Sequence, residues 1–228
     1  ISSKLGVSMS QPCFYTVPLF SSLSRDELQG IQSLFHHKKF KKGELIFSPF
    51  DEETLIIVNR GQFKVYRLTN DGTEQCIRIV GKGNYEGENY LFEENNQNLY
   101  GEALVSTEVC VIYKKDFQYL LQNFPHFSWQ LLCLNARKAI QTEEQVTLLA
   151  FEKIEQRLAC YLIHLTGKSN NPKLTFTLPI SEKELASYLG TRPETISRKF
   201  KIFEEHHYIR KVRRTIHIID DQALRNLY

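Results

Sequence analysis

Within two helical turns the chain sets out a carboxylate, a hydroxyl and a guanidinium, at Glu194, Ser197 and Arg198. These groups suit the base edges in the major groove of duplex DNA. Arg can bond guanine O6 and N7, Glu can accept from cytosine N4, and Ser can serve either role. At about 100° per residue, Ile196, Phe200 and Phe203 fall on one side of a helix here, and Glu194, Ser197, Arg198 and Lys201 on the other. One side packs and the other stays free. Charges alone would describe a solvated helix face; the flanking segments turn it into a reading head for duplex DNA.

Those segments are two caps and a hairpin. Ser181 with Glu184 three positions later forms a capping box, so a short helix begins there, carries Leu185, Ala186 and Leu189 toward a core, and ends at Gly190. Thr191 with Glu194 forms a second box, and Pro193 sits in the first turn, where a missing N–H costs little. Two helices joined so tightly make a helix-turn-helix. Residues 208–213 and 215–219 are β-rich runs meeting at Arg213-Arg214, the pattern of a wing. Thr191, Arg192, Thr195, Lys199, Lys201, Arg210, Lys211, Arg213 and Arg214 are expected along the phosphates, where side chains set affinity and register but carry no sequence information.

Charge supports the same division. The chain has 29 Lys and Arg against 26 Asp and Glu, a net +3. Residues 151–228 hold 14 against 9, a local +5, which leaves residues 1–150 with 15 against 17, or −2. A nucleic-acid face on the C-terminal part and a different task for the rest are implied. With 228 residues, 42% of them apolar, two domains can each bury a core. No apolar run approaches the roughly 20 residues that span a bilayer and no secretion signal is evident, so the expected location is the cytoplasm, without membrane contact. Residues 1–8 are unpatterned and are read as a foreign remnant ahead of a true start at Met9.

From Pro18 a helical pattern runs through Leu23, Leu28, Ile31 and Leu34. Strands are then predicted at 44–47, 54–58, 62–68, 74–80 and 109–113, separated by Gly43, Gly61, Asp71-Gly72 and Gly81/Gly83. Many short strands at this spacing make an antiparallel roll or barrel. A short helix is predicted over 116–124, and a long one over 127–150, where Leu132, Ala136, Ala139, Val146 and Ala150 form a seam broken by Glu143. The seam fits an amphipathic helix lying on its own barrel or a parallel pairing with a second copy; a palindromic DNA site favours the pairing.

Enzyme and metal chemistry find little support. The seven His form no His-x-His pair, and no Cys-x-x-Cys or His-Glu-x-x-His is present. His36-His37 and His206-His207 read as surface residues, and Lys38, Lys39, Lys41 and Lys42 as a solvated edge. Gly81-x-Gly83 with Gly87 lacks a following Lys-Ser/Thr and is a turn signal rather than a phosphate loop. No catalytic residue and no metal site is expected.

Across almost its full length the chain resembles the Crp/Fnr family of transcription regulators. The resemblance is carried by Val17-Pro18-Leu19-Phe20, Lys42-Gly43-Glu44, Gly87-Glu88 with Leu91-Phe92-Glu93-Glu94, Tyr113-Lys114-Lys115 and the helix-turn-helix. It implies an α+β fold with an N-terminal antiparallel β-roll like cyclic-nucleotide-binding domains, a long dimerisation helix and a C-terminal winged helix-turn-helix. The expected division is a lead-in over 1–16, a sensory roll over 17–125, the dimerisation helix over 126–150 and the DNA-binding domain over 151–228. The partners expected are double-stranded DNA, a second copy of the chain and RNA polymerase. Glu194-Thr195-Ile196-Ser197-Arg198 resembles the Fnr branch's reading head, which implies a palindrome of TTGAT-like half-sites. Pro193 departs from both branches.

The family's inputs are cyclic AMP and an iron-sulfur cluster, and neither is expected here. The stretch that would supply a phosphate-binding Arg reads Asn98-Leu99-Tyr100, and Glu143 stands beside Thr142, the match to an adenine-contacting Thr. A cluster requires four thiolates, and only Cys13 precedes Cys76. Cys133 and Cys160 read as small buried hydrophobes, and Cys76 stays unassigned. Cys13 and Cys110 resemble the pair in the FNR-like proteins of lactic acid bacteria, a branch thought to switch by a thiol and disulfide. That resemblance implies that oxidation joins Cys13 to Cys110 and changes DNA affinity; the alternative is two ordinary thiols. A second function is an unidentified small-molecule effector held in the roll by Tyr85, Gly87, Glu88, Tyr90, Tyr100 and Thr142, without redox input.

Overall fold

The computed structural model describes residues 17–49, 51–70, 72–92, 96, 98–167 and 174–228. Cys13, the expected lead-in over 1–16, Asp71 and the Glu93-Glu94 pair lie outside the described residues. The chain forms two compact units. One takes in the described residues up to Arg67 together with Arg78–Ala136; the other is Leu68–Ile77 with Arg137–Tyr228.

The first unit opens with α1 (Arg25–Gly30), whose N-cap Ser24 forms a complete capping box with Glu27. The two hydrogen bonds from Ser24 hold the Glu27 carboxyl below its usual range. Eight strands follow in the chain, of which residues 68 and 74–77 fall in the second unit: β1 (His36–Phe40), β2 (Leu45–Phe47), β3 (Thr54–Arg60), β4 (Gln62–Leu68), β5 (Glu74–Gly81), β6 (Tyr85–Glu86), β7 (Leu99–Ala103) and β8 (Thr107–Tyr113). They make two antiparallel sheets, ordered β1-β8-β3-β6 and β2-β7-β4-β5.

Why the roll forms is clearest in β3 and β8. Each carries a continuous apolar run, and successive side chains enter opposite faces. Ile56, Val58, Val109 and Val111 join Phe47, Phe63, Val65 and Val80 in one core. Leu55, Ile57, Cys110 and Ile112 face a second core with Val17, Leu19, Phe20, Phe117, Leu120, Phe127 and Leu131. Those covering residues come from the described start of the chain and from the helices that follow β8, α3 (Lys114–Asn123) and α4 (Pro125–Ala150). The antiparallel roll expected from the sequence is present. Strands β1, β6 and β7 were not predicted, because none shows a run or alternation of apolar residues.

Between β6 and β7 stands α2 (Glu88–Leu91), capped by Gly87 at φ 100°. A Cβ at Gly87 would lie 2.1 Å from the Thr54 carbonyl oxygen, so only glycine fits.

The second unit continues from α4 into α5 (Ile154–Gly167), β9 (Thr175–Thr177), α6 (Glu182–Tyr188), α7 (Pro193–Glu205), β10 (Ile209–Val212), β11 (Thr215–Ile218) and α8 (Asp221–Arg225). Its sheet runs β10-β11-β9. Leu158, Leu162, Leu185, Leu189, Ile196, Phe200, Phe203, Ile209, Ile216 and Leu224 are buried. Among the described residues no helix is long and apolar enough to cross a membrane.

Candidate nucleic-acid interface

Helix α6 begins where the sequence predicts, with the Ser181 half of the box in place: its hydroxyl accepts the Glu184 N–H at 3.3 Å. It ends at Gly190, φ 67°, in a Schellman turn: the Gly190 N–H reaches Ser187 O and the Thr191 N–H reaches Ala186 O. The second predicted box needs correction. The N-cap of α7 is Arg192, with no side-chain cap, and Thr191 lies outside it. Pro193 takes the first helical position and keeps Arg192 extended at φ −96° and ψ 150°, so the helix cannot start earlier.

Helix α7 is split as its periodicity requires. Ile196, Phe200 and Phe203 are buried, whereas Glu194, Ser197, Arg198 and Lys201 are exposed. The Val212↔Thr215 pairing makes Arg213-Arg214 the tip of a two-residue hairpin, with Arg213 at φ 55°. Arg214 is anchored, since its guanidinium donates to Leu178 O at 2.7 Å and its own carbonyl accepts the Leu178 N–H at 2.8 Å.

The nine residues expected on phosphates are placed unequally. Arg192, Lys201, Arg210, Arg213 and Arg214 are exposed, and Thr191 and Thr195 are half-buried. Lys199 is engaged inside the module, pairing with Glu155 on α5. That hydrogen bond holds the Glu155 carboxyl below its ordinary value. Lys211 also turns inward, pairing with Glu182 at 2.8 Å with its ammonium 5.4 Å from the centre of the Phe200 ring. Cross-strand register decides this: along β10 the side chains alternate, and Lys211 falls on the side of the helices.

On α4 the predicted seam is open. Leu132, Ala136, Ala139, Glu143, Val146 and Ala150 are all exposed, and Trp129 and Ile140 extend the apolar surface.

The roll contains a cavity of about 160 Å³ lined by Phe47, Ser48, Pro49, Asp51, Glu52, Glu53, Thr54, Ile56, Gly87, Tyr90 and Asn96. Of the six residues expected at an effector pocket, Gly87 and Tyr90 line it. The others are placed elsewhere. Tyr85 belongs to the helix-covered core and donates to Asn135 Oδ1 at 2.9 Å. Glu88 is buried at the start of α2, Tyr100 stacks on Tyr66 with centroids 5.5 Å apart, and the exposed Thr142 donates to Lys138 O at 2.9 Å. Sequence reasoning missed the carboxylates Asp51, Glu52 and Glu53, although their run is visible in the sequence.

Among the described residues the lining holds no Lys or Arg. Arg78 instead makes a bidentate pair with the buried Glu86, at 2.8 and 2.6 Å. Burial works against the Arg78 charge, but the hydrogen bonds and charge of Glu86 overcome it and raise its pKa above the ordinary value. Three carboxylates and no cation do not fit a cyclic phosphate.

Cys110 is wholly buried and disulfide-bonded, with its Sγ 3.5 Å from His37 Nδ1. Cys76, Cys133 and Cys160 are free thiols. Cys133 and Cys160 are half-buried rather than fully enclosed, and burial pushes the Cys160 thiol up. Among the described residues no group of three or more His, Cys, Asp and Glu is placed to hold a metal ion.

Comparison with known proteins agrees with both units. Residues 37–124 match the cyclic nucleotide-binding domain family and residues 156–227 the Crp-like helix-turn-helix domain family. The chain is 37% identical over 216 residues to "Probable transcriptional regulator flp" of Lacticaseibacillus casei, covering 95% of this chain and 98% of that one. It is 28% identical to the cyclic AMP receptor protein of Thermus thermophilus, covering 85% and 88%. A CooA variant from Carboxydothermus hydrogenoformans shares the fold with a TM-score of 0.76 at 21% identity, covering 89% and 94%. With both units matched and a relative aligned along nearly the whole length, the chain belongs to the Crp/Fnr family of DNA-binding transcription regulators.

Proposed function

We propose that this regulator reads a palindrome of TTGAT-like half-sites as a homodimer, each α7 entering a major groove with Glu194, Ser197 and Arg198 on base edges. The observation that carries this is the split of α7: those three side chains are exposed while Ile196, Phe200 and Phe203 anchor the opposite side. Arg192, Lys201, Arg210, Arg213 and Arg214 surround the reading head and supply the phosphate contacts. Lys199 and Lys211 hold the module together instead. The open stripe on α4 is the surface for the second copy, and the regulator works on DNA with RNA polymerase as its further partner, without catalysis of its own.

The input we propose is redox, with Cys13 as the disulfide partner of Cys110 and neither a cluster nor cyclic AMP involved. The disulfide at Cys110 supports this, as do the three other cysteines remaining thiols. A disulfide in a reducing compartment is more often a sensor than a brace. Selection of bound duplexes from a random pool, under reducing and under oxidising conditions, tests recognition and switching together. The expected result is a TTGAT-like palindrome whose enrichment differs between the two conditions. Enrichment without two-fold symmetry would overturn the dimeric reading, and equal enrichment would overturn the switch.

The roll cavity favours one alternative, in which a small effector sets DNA affinity and the cysteines are bystanders. Its acidic lining suits a neutral or cationic molecule. Native mass spectrometry of the purified protein would show such a molecule as added mass.

A further inference from the structure

We infer that Arg157 is a positioning residue for the reading head, a pin between the end of α4 and the turn of the helix-turn-helix that fixes how far apart the two half-sites must stand. The inference rests on the proposed dimeric reading and adds to it the residue that sets the spacing.

Helix α4 ends at Ala150 and α5 begins at Ile154, so a short link over 151–153 joins the stripe offered to the second copy to the module that carries α7. Such a link can bend, and its angle is fixed only where something crosses it. Arg157 crosses it. Its Nε donates to Phe151 O, directly after α4, at 2.8 Å, and its Nη1 donates to Leu189 O, at the C-cap of α6, at 3.0 Å. Both carbonyls belong to helix ends, where the last C=O groups lack partners within the helix and a cation is favoured. A guanidinium is planar and holds its donors in a rigid fork, so bonds to two elements fix direction as well as distance.

The packing around Arg157 agrees with this role. A Cβ at Gly190 would lie 3.5 Å from Arg157 Nη1 and 4.0 Å from Leu149 Cδ2, so the turn between α6 and α7 rests on the pin and on the last turn of α4. Two positions before Arg157, Glu155 pairs with Lys199 on α7. At about 100° per residue the two side chains leave α5 about 200° apart. One grips α7, and the other grips α6 together with the end of α4. The Glu155 pair stays on the module side of the link, whereas Arg157 spans it.

Small angles matter here. A tilt of about 10° over a lever of about 20 Å, the length of a helix such as α7, displaces the reading head by about 3.5 Å, close to the rise of one base pair. A second copy doubles the error. A two-fold dimer reads half-sites at one fixed separation, so such a shift selects a different site.

The test is selection from a duplex pool in which two copies of the natively selected half-site, inverted, are separated by spacers of varied length. The native full-length protein enriches one spacer. Arg157→Gln keeps the half-site sequence but accepts neighbouring spacers, its preference for the best over the next falling about threefold to tenfold. Arg157→Lys, a point charge without the fork, falls between the two. Affinity for a duplex with a single half-site stays native-like in both variants, because Glu194, Ser197 and Arg198 are untouched. Circular dichroism melting checks the fold, and if Arg157→Gln is unfolded, Arg157→Lys carries the same readout. A native spacer preference in the folded variant overturns the role of Arg157. So does a loss on the single half-site as large as the loss on the pair, which would make Arg157 a support of the module alone. A native protein that enriches no two-fold site overturns the dimeric reading itself.

Discussion

In the roll, Arg78, Lys64 and Lys114 each meet a carboxylate, Glu86, Glu102 and Glu53 respectively. On the winged module Arg192, Arg198, Lys201, Arg210 and Arg213 stand exposed, with no ion pair among the described residues. A cation therefore serves a different end in each place. A buried charge must be matched, because removing one partner leaves the other desolvated. A solvated charge on the module contributes little to folding and is available to a ligand.

The largest expected effect breaks a roll pair. Arg78→Ala deprives Glu86, 2% exposed, of its bidentate partner and should cost about 3 kcal/mol in denaturant unfolding. Replacing both by Met and Leu should recover most of that loss. If Arg78→Ala melts like the native protein, the contrast between the two regions fails.

Arg198→Ala should do the reverse. Unfolding stays unchanged, while affinity for the selected palindrome drops by about 1–3 kcal/mol, concentrated at one base pair. Anisotropy titrations on the palindrome and on scrambled duplex read this directly, and equal losses on both would remove Arg198 from the reading head. Arg213→Ala should be milder and indiscriminate, weakening every duplex alike and lowering the salt slope by about one.

The smallest effect tests Lys199, which like Lys211 is a module cation that is paired. Its partner Glu155 has a lowered pKa in the folded state, so the pair stabilises above the ordinary carboxylate range and this is lost as pH falls through the folded value. Lys199→Met should therefore be less stable than native near neutrality, by less than about 1 kcal/mol at this partly exposed site, with the gap closing in acid.

The two regions also differed in how far their sequence could be read. In the module the signals are local: the Ser181 cap, the Gly190 stop and the facing of Ile196, Phe200 and Phe203 each lie within one or two turns. The correction at Thr191 is local too, since Pro193, two residues on, fixes the start of α7. In the roll the informative relations are long-range. His36–Phe40 carries four exposed residues of five, so the segment looked like a solvated edge, and nothing near it in the sequence reveals that His37 pairs with Cys110. The expected pocket residues are dispersed for the same reason: Tyr85 enters the helix-covered core, while the next residue, Glu86, meets Arg78 on the other side.

Arg213 keeps a left-handed backbone, φ 55°, which penalises any residue with a Cβ by about 1–2 kcal/mol. Glycine would relax the bend, yet a long cationic arm stands there. On the proposed reading, grip on the duplex rather than ease of folding accounts for an arginine at this corner. Drift toward glycine would loosen the hold on the genome before it harmed the fold, so durability and affinity pull in opposite directions at a single codon.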